Sequence, residues 1–145
     1  MDAAAGFWYH VRVQFDHTDA QGRVFYARYF PLLDQARCAY WEALGFTEDG
    51  VRQIEHDTVT VHVEVDYLGP AAFYDLLHIS VMTTRLGRSS LHLEYRVVHA
   101  PSAQEILMAR MVMVQVDRVT ATSRPWSTAF RAAIMAYHGQ QVVQS

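Results

Sequence analysis

The stretch FDHTDAQGRVFYARYF, Phe15 to Phe30, sets Asp16, His17 and Asp19 just ahead of Gly22 and a run rich in aromatics. A carboxylate beside such a run can attack a carbonyl carbon or draw a proton from water. Imidazole with carboxylates also suits zinc, but three near-adjacent donors without a distant partner are a poor tetrahedral set. No metal site is therefore expected. Asp16 and His17 read as turn or loop residues, since aspartate bonds readily to its own backbone in turns. For Asp19 two readings stay open on spacing alone, a turn former or a carboxylate held at the mouth of an apolar pocket.

The surrounding elements decide what positions this stretch. Tyr9 to Phe15 alternates around Val11 and Val13 and predicts a short strand. Tyr29 to Leu44 is helical in period, with Phe30, Leu33, Arg37, Tyr40 and Leu44 on one stripe and Gly45 as its stop. Thr47 to Asp57 reads as irregular. Thr58 to Tyr67 alternates most cleanly, with Val59, Val61, Val63, Val65 and Tyr67 on one face. Strands over Leu76–Arg85, Ser89–Val98 and Ile106–Val116 follow, broken at Leu86-Gly87 and Ala100-Pro101-Ser102. Ser127 caps a last helix running to Tyr137, with Phe130, Ile134 and Tyr137 on one stripe and Gly139 ending it. Four consecutive strands imply antiparallel pairing, and the long apolar helix must bury its stripe on that sheet. An α+β domain over residues 1–145 is expected, with the sheet wrapped around the helix.

Composition narrows the function classes. A chain of 145 residues, half of them hydrophobic, can bury one real core. A net charge of −3 gives no general case for nucleic acid. All 12 basic side chains are arginine, so any phosphate would be met by a planar guanidinium fork. No apolar run is long enough for a membrane span, and the first residues lack a signal-peptide pattern, so a cytoplasmic location is the expectation. The single Cys38 allows no intrachain disulfide and reads as an inert thiol.

The run Thr18-Asp19-Ala20-Gln21-Gly22-Arg23-Val24-Phe25-Tyr26, with Asp34-Gln35-Ala36-Arg37 downstream, resembles the hotdog-fold acyl-CoA thioesterases. The branch it resembles is that of 4-hydroxybenzoyl-CoA thioesterase and the Tol-Pal-associated thioesterases. The likeness continues through Tyr67-Leu68-Gly69-Pro70-Ala71, Arg85-Leu86-Gly87-Arg88-Ser89-Ser90 and Val116-Asp117 towards Arg124-Pro125, spanning roughly residues 8 to 138. It implies an antiparallel five-stranded sheet around a long central helix, plus a C-terminal helix. It also implies that Asp19 is the catalytic aspartate and that Tyr26 presents a backbone N–H to the thioester carbonyl. Gly22 would let the turn deliver the carboxylate, and Phe25 and Tyr29 would line or support an acyl pocket. Arg28, Arg85, Arg88, Ser89 and Ser90 would meet the CoA moiety. This chain has Arg28 where the family usually has Asn, and Tyr74 before Asp75 where it usually has Gly.

The same resemblance implies CoA as part of the substrate with no separate cofactor. It also implies at least a homodimer, often a homotetramer, with active sites between subunits. Two rivals stand beside hydrolysis. A hotdog dehydratase or hydratase pairs its carboxylate with a histidine a few residues on, but here none follows Asp19 until His56. A non-catalytic acyl or acyl-carrier binding protein would keep the pocket alone; the intact Asp19 and Gly22 argue against it.

Overall fold

The computed structural model describes residues 6–145. The reading of the first residues as free of a signal peptide falls mainly on residues 1–5, outside the described part. In chain order the elements are β1 (Phe7–Arg12), α1 (Tyr29–Ala43), α2 (Glu48–His56), β2 (Thr58–Tyr67), β3 (Leu76–Leu86), β4 (Ser90–His99), β5 (Glu105–Gln115), α3 (Thr128–His138) and β6 (Val143–Gln144). The strands form one sheet in the order β1-β3-β4-β5-β2, every neighbouring pair antiparallel. The two-residue β6 pairs parallel to the end of β3, at Arg85 and Leu86. The sheet therefore has six strands rather than five; two residues are too short for a period-2 pattern to register.

Alternation along the central strands explains the core. Leu77, Ile79 and Val81 of β3 and Leu91, Leu93 and Tyr95 of β4 are buried on the face that takes up α1. The helix answers with Leu32, Leu33, Ala36 and Tyr40, spaced at steps of one, three and four along its inner side. Gly45, at φ +104, turns the chain out of α1. At the other end of the chain, the Ser127 hydroxyl accepts the Phe130 N–H and caps α3, as its position predicts.

The segment read as irregular is the helix α2. Thr47 caps it by accepting the Gly50 N–H, with Glu48 and Asp49 in the first turn. Its apolar residues are few, Val51 and Ile54 packing on the core, and an ion pair adds to them. Arg37, buried on α1, makes a bidentate contact with Glu55 of α2, at 2.6 Å between Nη2 and Oε1, and the Trp41 indole N–H donates to the same carboxylate. An arginine on the α1 stripe was visible in sequence; the distant carboxylate that neutralises it was not.

The valines of β2 are not core. Val59, Val61 and Val63 are 44%, 58% and 36% exposed, because β2 is an edge strand bonded only to β5, with a bulge between Thr60 and His62. Among the described residues, no helix is long and apolar enough to cross a membrane.

Candidate functional site

Asp19 sits at the tip of a tight hairpin closed by a bridge from Thr18 to Val24. Its backbone N–H donates to the Arg23 carbonyl, and its Oδ1 accepts the N–H groups of Gln21 (2.8 Å) and Arg23 (3.3 Å). Both readings of Asp19 are thus compatible: one carboxylate oxygen organises the turn, while Oδ2 accepts no hydrogen bond among the described residues. Gly22 closes the turn by donating to the Asp19 carbonyl at φ +77, a conformation that suits glycine. A Cβ there would meet nothing within 4 Å, so the demand for glycine is conformational rather than spatial.

The hairpin is tied to the start of α1. The Phe25 N–H donates to the His17 carbonyl, and the Val24 N–H to the Ala71 carbonyl. A 3-10 turn over Tyr26–Arg28 then leads directly into Tyr29. Tyr26 therefore precedes α1 by one short turn. Its N–H and that of Ala27 are the first of the helical run and have no intrahelical acceptor. The Tyr67 hydroxyl donates to the Tyr26 carbonyl at 3.1 Å and so fixes that peptide. The His17 Nδ1 accepts the Gln14 N–H, a loop role consistent with its sequence reading.

The aromatics divide by exposure. Phe25 and Tyr26 are exposed beside Tyr67, with the Tyr26 and Tyr67 rings edge to face at 6.4 Å. Tyr29 is buried, and burial, with Tyr67 and Asp75 adding, pushes its hydroxyl up to about 12. It supports the site from beneath rather than facing solvent. Arg28 is exposed next to the same turn.

On the other flank, the Phe73 N–H donates to the Gly22 carbonyl, and Arg23 bridges Ala72. Tyr74 follows at φ +70, in the left-handed region, where a bulky side chain costs about 1–2 kcal/mol. Its N–H donates to the Val13 carbonyl, and Arg12 stacks its guanidinium 4.7 Å from the ring centre. The departure from the family's usual glycine marks Tyr74 as near the substrate entrance, but the sequence assigns no site role to Tyr67, Phe73 and Arg12, because their contacts join residues distant in the chain.

The structure does not bring Arg85, Arg88, Ser89 and Ser90 to this place within one chain. They surround the β3–β4 turn, at the opposite end of an 11-residue strand from the Asp19 hairpin. That span is about 33 Å. The Ser89 carbonyl accepts from Gln115 and the Ser90 carbonyl from Trp126, while Arg85 donates to the Ser145 hydroxyl. Beside that end lies a cavity of about 460 Å³, with Phe46, Ile54, Asp57, Arg124, Trp126 and Phe130 among its lining.

The thioesterase superfamily model matches residues 21–106, more than half of the chain, beginning two residues after Asp19. An acyl-CoA thioesterase YbgC from Haemophilus influenzae is 30% identical over 94 residues, covering 64% of this chain and 69% of that protein. A 1,4-dihydroxy-2-naphthoyl-CoA hydrolase from Synechococcus elongatus is 29% identical over 118 residues, covering 78% and 83%. A thioesterase from Thermus thermophilus, solved with coenzyme A and Zn, superposes with a TM-score of 0.76 at 29% identity, covering 90% of this chain and 94% of that one. With its sheet wrapped on α1 and its aspartate turn at the helix start, the chain belongs to the thioesterase superfamily and is a thioester hydrolase.

Proposed function

We propose that the protein hydrolyses acyl-CoA thioesters to the free acid and CoA. The observation that carries this is the hairpin that ties the Asp19 carboxylate to the open N–H groups at the head of the 15-residue helix α1. Two routes use the same atoms. In one, an Asp19 oxygen attacks the carbonyl carbon, CoA leaves as a thiolate that takes a proton, and water then cleaves the mixed anhydride. In the other, Asp19 takes a proton from water as that water attacks, and the proton passes to the departing thiolate. In both, negative charge grows on the carbonyl oxygen. The N–H groups of Tyr26 and Ala27, with the positive end of the helix dipole, stabilise it. Such a donor is worth about 2.7–4 kcal/mol in comparable enzymes.

The active unit is at least a homodimer. The free edge of β2, lined by exposed Val59, Val61 and Val63, is suited to pair with a second copy. Two-fold pairing of these edges runs antiparallel, so it sets the Tyr67 end of one strand against the Thr58 end of the other. Tyr67 touches Tyr26, and Thr58 pairs with Gln115, which donates to the Ser89 carbonyl. The pairing therefore brings one subunit's Asp19 hairpin towards its partner's Arg85–Ser90 turn and large cavity. Arg85, Arg88, Ser89 and Ser90 act on the substrate only in this way, from the second subunit.

The test is thiol release from a panel of aromatic and graded aliphatic CoA thioesters. Release from any member, with the matching acid formed, supports the reading and reports the size of the acyl pocket. A folded protein that binds CoA but releases no thiol from any member would instead be an acyl-binding protein.

A further inference from the structure

We propose that Tyr74 and Arg12 form a preformed platform for the nucleotide end of CoA, on the same chain as the reacting Asp19. The inference rests on the thioesterase reading for its choice of ligand. It starts from an anomaly. Tyr74 holds φ +70, where glycine is at ease and tyrosine is not, and the residue is 63% exposed, so packing does not account for the strain. The backbone is nonetheless fixed from both sides: the Tyr74 N–H donates to the Val13 carbonyl, and Arg12 Nη1 donates to the Tyr74 carbonyl at 3.0 Å. The same guanidinium lies over the Tyr74 ring at 4.7 Å. Phe73 stands beside it, 5.9 Å from Tyr74 and edge to face with Phe15 at 5.9 Å. Both phenylalanines are exposed, Phe15 at 79% and Phe73 at 49%.

An exposed aromatic face joined to an exposed guanidinium fits a planar base carrying phosphate. The ring stacks the purine, and the remaining Arg12 N–H groups meet phosphate oxygens. Position favours CoA as the source of both. Asp19 bonds to Arg23, Arg23 bridges Ala72, and Tyr74 is two residues further on. Two interstrand spacings, from Asp19 to Arg23 and from Arg23 to Ala72, and the tight turn over Phe73 and Tyr74 keep Tyr74 within about 10–15 Å of Asp19. A pantetheine arm spans such a gap, and a purine carrying phosphate uses both the ring face and the guanidinium, which an acyl chain does not. No subunit exchange is needed, in contrast to Arg85 and Arg88.

The experiment compares Tyr74→Gly, Arg12→Gln and Arg88→Ala on a CoA thioester and on the N-acetylcysteamine thioester of the same acid. Affinity for free CoA is measured alongside by calorimetry. Tyr74→Gly relieves the backbone strain, so loss of folding does not confuse its result. The expected outcome is a rise in KM of at least tenfold for the CoA thioester in both platform variants, less than threefold for the truncated one, and a matching loss of CoA affinity. Equal effects on the two substrates, or a CoA-selective loss confined to Arg88→Ala, would overturn the platform. The thioesterase reading fails separately: if the wild type hydrolyses neither thioester yet binds free CoA, and the platform variants lose that binding, the platform stands and the activity falls.

Discussion

The two ends of the sheet are built on different terms. At the Asp19 end the chain tolerates strain at Tyr74 and leaves Phe15, Phe25, Tyr26 and Phe73 open to solvent. At the Arg88 end the left-handed residue is a small one, Ala121 at φ +58, and α2 and α3 shelter the aromatic cluster of Phe46, Trp126 and Phe130. Aromatic side chains are open to solvent at one end and packed under helices at the other. In the proposed dimer, a site assembled from both ends of two copies gains a carboxylate from the first and a shaped wall from the second.

Substitutions can break or sharpen this contrast. The largest effect is expected from Val61→Glu, which sets a charge on the open edge of β2. It should yield a folded monomer whose kcat/KM for CoA thioesters falls by about two orders of magnitude, as activity assays paired with light scattering would show. A dimer of full activity would mean that the subunits meet elsewhere.

Arg37→Ala probes the ion pair between α1 and α2. It leaves Glu55 partly buried without its cation and should cost about 3 kcal/mol in denaturant unfolding, discounting the upper values because Glu55 keeps some solvent. Gly22→Ala should cost about 1–2 kcal/mol through its positive φ. Its activity should fall more steeply than its stability, because the turn also aims Asp19; a stable variant with full turnover would remove Gly22 from the site.

The smallest effect is one of pH. The His138 Nε2 hydrogen-bonds the buried Tyr40 hydroxyl, which also bonds Thr83, and burial lowers the affinity of His138 for a proton. The unfolded chain thus binds that proton more tightly than the folded one. The stability held by α3 should be intact above the ordinary histidine range and decline as pH falls through it. Thermal unfolding of His138→Gln should show a shallower slope, the remainder belonging to His78 and His92, whose proton affinities burial also lowers.

Much of this was legible in the sequence because it is local. Period and capping residues placed α1, α3 and the long strands within a residue or two, and the spacing of Asp19 and Gly22 marked the turn. What stayed hidden depends on chain-distant partners. Helix α2 shows only Val51 and Ile54 as an apolar pattern, and the Glu55 contact to Arg37 that completes its docking joins distant residues. The valines of β2 alternate as core residues do, yet lie on an edge strand that no other described strand of this chain covers. The Arg85–Ser90 turn reads as part of the same site, but an 11-residue strand holds it away from Asp19.

The most direct test of the central claim is steady-state hydrolysis of CoA thioesters by wild type and Asp19→Asn in parallel. Asparagine keeps the Oδ1 hydrogen bonds of the turn and removes the charge. The account predicts a loss in kcat of at least about 10²-fold with unchanged unfolding temperature and CoA affinity. Turnover by Asp19→Asn at the wild-type rate would contradict it.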